Sequence, residues 1–257
     1  MKDVYRVKDW WYFLGIPLLG FLYKPHTNYI SLLINLIACV PLLAFAYSLN
    51  DFFEGISKSN FLIPLIAFIS TIIFLFLFDK SLHFITYLFL ILMVGFYSMP
   101  LFALKRIPFV STICNVIGPP LLIIFGINEL DGDIFRLIFI VSCIFLMAQV
   151  FHELADWEED KRKNIVTTIQ VLGGKNFMIV GMLFLFLAFL ISLVDNKVIS
   201  LGIGIMISSA IYNFLIYVKE KKTDFSIFRK RYKIAGLITG IFWAIFLLKN
   251  ICILSRK

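Results

Sequence analysis

Apolar runs of roughly 18–22 residues, separated by short polar segments, fill the chain, and runs of that length cross a hydrocarbon core about 30 Å thick. Hydropathy read along the chain predicts nine helices, near residues 10–23, 29–53, 61–78, 82–99, 109–126, 134–155, 177–194, 198–218 and 234–254. An odd number of spans puts the two ends of the chain on opposite sides of a bilayer. The predicted fold class is an all-α membrane protein of nine transmembrane helices, with residues 1–257 as a single integral-membrane domain.

Composition narrows the class further. Hydrophobic residues make up 61% of the 257, and charged residues only 16%, against about 25% charged in average soluble domains. A soluble enzyme, a secreted disulfide scaffold and a disordered chain are excluded. Cys39, Cys114, Cys143 and Cys252 each stand alone in an apolar stretch, without a CxxC pair, and read as small hydrophobes. The segment from Met1 to Asp9 is charged and lacks a small-residue cleavage site, so no cleavable signal is expected.

The net charge of +8 invites a nucleic-acid reading, but the distribution of the charges argues for topology instead. Of 24 Lys and Arg, 17 fall in the N-terminal segment and the loops after spans two, four, six and eight, and 7 fall on the other side. The positive-inside rule then sets the N-terminus and those loops in the cytoplasm, and no nucleic-acid partner is expected. The run from Lys219 to Lys233 is read as a topology-setting loop facing lipid headgroups. Usage rich in Lys, Ile, Phe and Asn suggests an AT-rich prokaryotic genome, hence a multi-pass protein of a prokaryotic cell membrane.

The carboxylates are bunched in two places. The second span ends with Asn50, Asp51 and Glu54; the sixth carries Gln149, Glu153, Asp156 and Asp160 at intervals of four, three and four. Those intervals align the side chains on one helical face, and both groups end even-numbered spans, so topology brings both to the cytoplasmic side. Acids at a helix C-terminus meet the unfavourable end of the macrodipole. Ionisable groups at a membrane segment mark function by default. Oxygen ligands without a His or Cys set suit Mg²⁺, which is commonly held by one or two carboxylates together with phosphate oxygens. Lys105, Arg106, Lys161 and Arg162 add positive charge nearby. The residues therefore predict a cytoplasm-facing magnesium–diphosphate site roofing an apolar cavity. The competing reading is a set of solvated loop acids paired locally, such as Glu158 with Arg162. Two patches at equivalent positions four spans apart favour the first.

With these motifs in place the sequence resembles the UbiA family of intramembrane prenyltransferases. Asn50-Asp51-Phe52-Phe53-Glu54 is similar to the family's N-D-x-x-D-x-x-x-D, and Asp156-Trp157-Glu158-Glu159-Asp160 to its D-x-x-x-D. Ile165 to Gly173 resembles the tail of the second motif, Tyr97 to Asn115 the Y-S…L-K-x-x-P…N segment, and RVKDWWYF the first helix. The resemblance implies a ring of nine helices around a lipid-accessible cavity, with Mg²⁺ bridging the acidic motifs to an isoprenyl diphosphate donor. It implies Asn50, Asp51, Glu54, Asp156 and Asp160 as metal ligands, and Tyr97 and Lys105 on the diphosphate; Arg106, Lys161 and Arg162 are added from charge and position. Two departures stand out: Glu54 replaces the usual Asp, and Lys58 falls where the last Asp of the first motif belongs. Either Lys58 replaces that carboxylate, or the GISKSN loop is shortened and the motif truncated; loss of the carboxylate would weaken one metal site, and an ammonium would contact the diphosphate directly. Asn164 stands at a usual Gly position, a turn substitution.

The implied reaction joins an isoprenyl group to a lipophilic acceptor, such as an aromatic quinone precursor, a carotenoid or polyprenyl end, or another lipid. Asp51, Asp156 and Asp160 act through the metal, and Glu153 or Asp156 accepts the acceptor's proton. Two alternatives remain: a UbiA-type terpene cyclase, and a carrier or scaffold that kept the fold, which the helix-breaking Gly118-Pro119-Pro120 favours. His26 and His83 read as interfacial. His152 lies about 100° around the helix from Glu153 and reads as packing against the second motif.

Overall fold

The structure is a computed structural model that describes residues 5–25, 28–55, 61–78, 80–220 and 224–254. The candidate Lys58 lies outside the described residues, as do His26 and Lys221–Lys222 of the basic loop. Among the described residues the chain is helical throughout, without strands, as expected where every backbone polar group must be satisfied within its own segment. It divides into two compact units: Met1–Lys105 with Leu121–Leu130, and Arg106–Pro120 with Asp131–Lys257.

The first unit opens with a short helix α1 (Val7–Trp10), a 3₁₀ turn (Trp11–Leu14) and α2 (Gly15–Tyr23). Then come α3 (Tyr29–Glu54), α4 (Leu62–Leu75) and α5 (Ser81–Ser98). Asn28 caps α3 by accepting from the Ser31 N–H at 2.9 Å, and Gly55, at φ 65°, ends it in the left-handed conformation that glycine adopts without strain. The returning segment 121–130 lies against α2 with no room for side chains between them. A Cβ at Gly126 would strike the Pro17 carbonyl, and one at Gly20 the Ile123 carbonyl. Buried polar groups fasten the same segment: Asn35 Nδ2 donates to the Phe125 carbonyl at 2.8 Å, and His83 Nε2 to that of Ile127 at 3.0 Å. His83 is thus a buried, satisfied core histidine and not the interfacial one expected from its position near a span end.

The second unit contains α6 (Val110–Ile117), α7 (Gly132–Arg162), α8 (Thr168–Leu172), α9 (Gly174–Asp195), α10 (Lys197–Lys219) and α11 (Ser226–Leu254). Asp131 caps α7 by accepting from the Asp133 and Ile134 N–H groups. α7 is the hub, touching α6, α8, α9, α10 and α11. Met147, Val150, Phe151 and Leu154 of α7 form one core with Phe177 and Met178 of α9 and Phe228 and Tyr232 of α11. The outward faces are apolar as well: Ile234, Leu237, Ile241, Ile245 and Leu248 recur along α11 at helical spacing and are all exposed. Such a stripe is a lipid-facing surface.

Among the described residues, six helices are long and apolar enough to cross a membrane: α3, α5, α7, α9, α10 and α11. They coincide with spans two, four, six, seven, eight and nine of the sequence reading. The other three expected spans have a different form. The first is broken into α1, the 3₁₀ turn and α2. The third holds only the 14 residues of α4. In the fifth, Gly118-Pro119-Pro120 ends α6 after eight residues and a 3₁₀ segment continues to Gly126, as the ring of Pro and its missing N–H dictate.

Candidate active site

The first acidic patch occupies the last turn of α3, in the first unit. Asp51 is nearly buried, its side chain 8% exposed, and Arg6 Nη1 donates to its Oδ1 at 2.9 Å. Arg6 stands at the entry to α1 in a left-handed conformation (φ 49°), turned back so that its Nε also donates to Asp9 Oδ2 at 2.7 Å. Its guanidinium lies 5.4 Å from the Tyr47 ring centroid, a cation–π contact. Partial burial works against its charge, but the hydrogen bonds to Asp9 and Asp51 and the two negative charges outweigh that and raise its pKa above the ordinary arginine value. Beside Asp51, Asn50 Nδ2 donates to Glu54 Oε1 one turn on, at 3.0 Å. Lys105 Nζ bridges the pair, 3.0 Å from Asn50 Oδ1 and 3.1 Å from Glu54 Oε1. Asp51 and Glu54 therefore have separate counter-ions, Arg6 and Lys105. Tyr97, near the end of α5, is half-buried.

The second patch occupies roughly the last four turns of α7, in the second unit. The expected alignment of Gln149, Glu153, Asp156 and Asp160 on one face is present, but burial splits the set. Gln149 and Glu153 are buried, whereas Asp156 and Asp160 are partly open. Glu153 has neutral donors only: Thr112 Oγ1 at 2.7 Å and Gln149 Nε2 at 3.0 Å on Oε1, and the Ile169 N–H at 2.9 Å on Oε2. Asp156 faces Arg229 at the start of α11, whose Nη1 is 3.2 Å from Oδ1 and 3.4 Å from Oδ2. The same Nη1 donates to His152 Nδ1 at 3.0 Å, so the neutral His152 carries its proton on Nε2. Among the described residues, no hydrogen-bond donor reaches the Asp160 carboxylate.

The remaining candidates lie on the periphery. Arg106, Lys161 and Arg162 are exposed. A local ion pair on the solvent side of α7 joins Glu159 to Lys163 at 2.6 Å, an i,i+4 pair of the kind the competing reading exemplified by Glu158 with Arg162. Asn164 has φ 55°, the left-handed region that Asn tolerates better than other non-glycine residues; this accounts for its presence at a position where the resembled motif has Gly. Arg6 and Arg229 were not selected by the sequence reading. Arg6 sits in the quoted RVKDWWYF stretch, and Arg229 sits in the basic run interpreted as a topology signal.

The donor set fits magnesium with a diphosphate better than a closed metal cage. Among the described residues there is no cluster of three or more His, Cys, Asp or Glu able to hold an ion. The first patch instead offers the carboxylates of Asp51 and Glu54 with the Asn50 amide oxygen, and the second the two partly open carboxylates of Asp156 and Asp160. Mg²⁺ bound in this way takes its other ligands from water and phosphate.

Comparison with known proteins agrees with this chemistry. Residues 54–237 match the UbiA prenyltransferase family, a stretch that begins at the last acid of the first patch and includes all of the second. No curated protein matches the chain. The fold is similar to that of a digeranylgeranylglyceryl phosphate synthase, with a TM-score of 0.73 at 15% identity over 96% of each chain. It is similar also to a UbiA homologue from Archaeoglobus fulgidus bound to DMAPP and Mg²⁺ (TM-score 0.64, 16% identity, 96% of this chain and 98% of that one). The same homologue bound to GPP and Mg²⁺ gives 0.63 at 17% identity over the same shares. At these identities the structures show a UbiA-like fold and the family match carries the relationship: the chain belongs to the UbiA prenyltransferase family.

Proposed function

We propose that this chain is a Mg²⁺-dependent intramembrane prenyltransferase that moves an isoprenyl group from an isoprenyl diphosphate to a lipophilic acceptor in the membrane. The observation that carries the reading is that two transmembrane helices, α3 and α7, each end in a carboxylate pair whose buried or half-buried aspartate is held by an arginine. Oxygen donors next to guanidinium groups suit a metal–diphosphate headgroup. The family match, and fold relatives that bind DMAPP or GPP with Mg²⁺, support it. Nine helices forming a ring around a lipid-accessible cavity, with the acidic ends cytoplasmic, is the architecture this reading uses.

Asn50, Asp51 and Glu54 on one patch and Asp156 and Asp160 on the other would hold the metal, which when bound neutralises charge on the departing diphosphate. Lys105, Tyr97 and Arg106 contact the diphosphate, with Lys58, Lys161 and Arg162 adding positive charge around it. Arg6 and Arg229 keep Asp51 and Asp156 oriented. Apolar walls keep water from the allylic cation. Glu153 is buried whereas Asp156 is partly open, so the proton lost by the acceptor goes to Asp156.

The test is turnover by purified protein in nanodiscs with Mg²⁺, geranyl or longer isoprenyl diphosphates, and membrane lipid extract. Metal-dependent diphosphate release with a prenylated lipid product is the expected result. A cyclic hydrocarbon formed without acceptor would mean a terpene cyclase, and absence of release with every donor would mean a carrier or scaffold.

A further inference from the structure

Glu153 is a carboxylate 4% exposed, set among the fully buried Val150, Phe151 and Leu154. A charge in such a place is tolerated only when hydrogen bonds replace its water. Three donors do so, filling three of the roughly four lone-pair directions that a carboxylate offers. They come from three elements: Thr112 from α6, Gln149 from α7 itself, and the Ile169 N–H from the first turn of α8.

The hydroxyl protons can be assigned along this network. Thr112 has one hydroxyl proton and it goes to Glu153, so in the 2.6 Å contact between Thr112 Oγ1 and Thr168 Oγ1 Thr168 must be the donor. Thr168 Oγ1 in turn accepts from the Phe109 N–H at 2.8 Å. Phe109 enters α6 at φ 62°, a strained conformation for a bulky L-residue that persists only where its surroundings over-determine it. One carboxylate thus fixes a relay of Glu153, Thr112, Thr168 and Phe109. The relay pins the start of α6 and the start of α8 to the turn of α7 just before Asp156. Arg106 lies three residues ahead of Phe109.

We propose that Glu153 is a positioning residue, and neither a metal ligand nor a proton acceptor. It holds the Arg106–Phe109 approach to α6 and the Thr167–Leu172 segment in register with Asp156 and Asp160. The inference rests on the prenyltransferase reading for its consequence in turnover, and on the geometry alone for its consequence in the fold.

The experiment compares Glu153→Gln, Thr112→Val and Thr112→Ser with wild type, reading diphosphate release against Mg²⁺ and geranyl diphosphate, and amide exchange over residues 165–173. Glutamine at 153 turns an NH₂ toward a donor, and valine at 112 removes both a donor to Glu153 and an acceptor for Thr168. Each should lower kcat on the order of ten- to a hundredfold, the scale of a misplaced reacting group, while Mg²⁺ half-saturation and donor KM stay near wild type. The double variant should be no worse than the singles, since both break one network, and Thr112→Ser should recover turnover. Exchange over 165–173 should speed up in Glu153→Gln and Thr112→Val alike. A raised Mg²⁺ requirement in Glu153→Gln would make it a ligand. Diphosphate release at the wild-type rate with loss of the transfer product would make it the proton acceptor. Either result, or unchanged exchange in Thr112→Val, overturns the proposal. If wild type itself releases no diphosphate, the functional reading fails, and the exchange data still decide whether the relay holds the segment.

Discussion

The two acidic patches are alike in sequence and different in structure. In the first, the central aspartate is almost sealed: Asp51 is 8% exposed and its arginine comes from the segment that opens the first unit. Asn50 and Glu54 are bound to a lysine that is itself only 13% exposed. In the second patch the deepest acid, Glu153, is held by neutral groups, and the aspartates nearer the surface are left partly open. Asp156 and Arg229 are 33% and 34% exposed. The first patch is neutralised by Arg6, itself 37% exposed, and by the largely buried Lys105; the second has separated its buried acid from its accessible ones. Both patches pair an aspartate with an arginine, but only the second leaves its aspartate partly open.

Substitutions of the aspartates should produce the largest effects. Asp156→Ala should lower diphosphate release at least on the order of a hundred- to a thousandfold, the range for losing a group that stabilises transition-state charge, with the thermal midpoint close to wild type. Asp51→Ala should lose activity to the same degree and also lower the midpoint, because Arg6 loses its buried partner on α3 and keeps only the exposed Asp9. Chelation comes next: EDTA should abolish release in wild type and added Mg²⁺ should restore it, whereas calcium, with its longer bonds and higher coordination, should restore less. The arginines then separate the patches. Arg6→Gln should destabilise the fold by about 1–3 kcal/mol, as expected when a buried acceptor loses its charged donor. Arg229→Gln should cost no more than about 1 kcal/mol, as for exposed pairs, and instead raise the KM for the donor. Equal stability losses in the two variants would erase the contrast. The smallest effect is expected for Glu54→Asp, which restores the residue usual at that place in the resembled motif but shortens the reach to Lys105; a few-fold change in Mg²⁺ half-saturation would register it.

Much of this was legible in the sequence, for a physical reason: apolar runs and paired acids are local patterns. Six of the predicted spans are long apolar helices, and the face of α7 follows from spacings of four, three and four. What the pattern missed depends on tertiary contacts. The break at Gly118-Pro119-Pro120 was visible, but not that the chain after it, 121–130, leaves the second unit for the first. His83 looked interfacial because its buried acceptor, the Ile127 carbonyl, is 44 residues away. Arg229 was hidden in a basic run that topology already explained. Glu153 looked like one more member of an acidic face, and only its donors on α6 and α8 set it apart.

The central claim is that both patches bind one chemical species, a magnesium-bound isoprenyl diphosphate. The most direct measurement is equilibrium binding of an unreactive geranyl thiolodiphosphate to wild type, Asp51→Asn and Asp156→Asn in nanodiscs, with and without Mg²⁺. The account predicts saturable binding in wild type only with Mg²⁺, and a loss of at least about tenfold in affinity in each variant, the scale of one lost charge-assisted contact. Metal-independent binding, or full affinity in either variant, would contradict it.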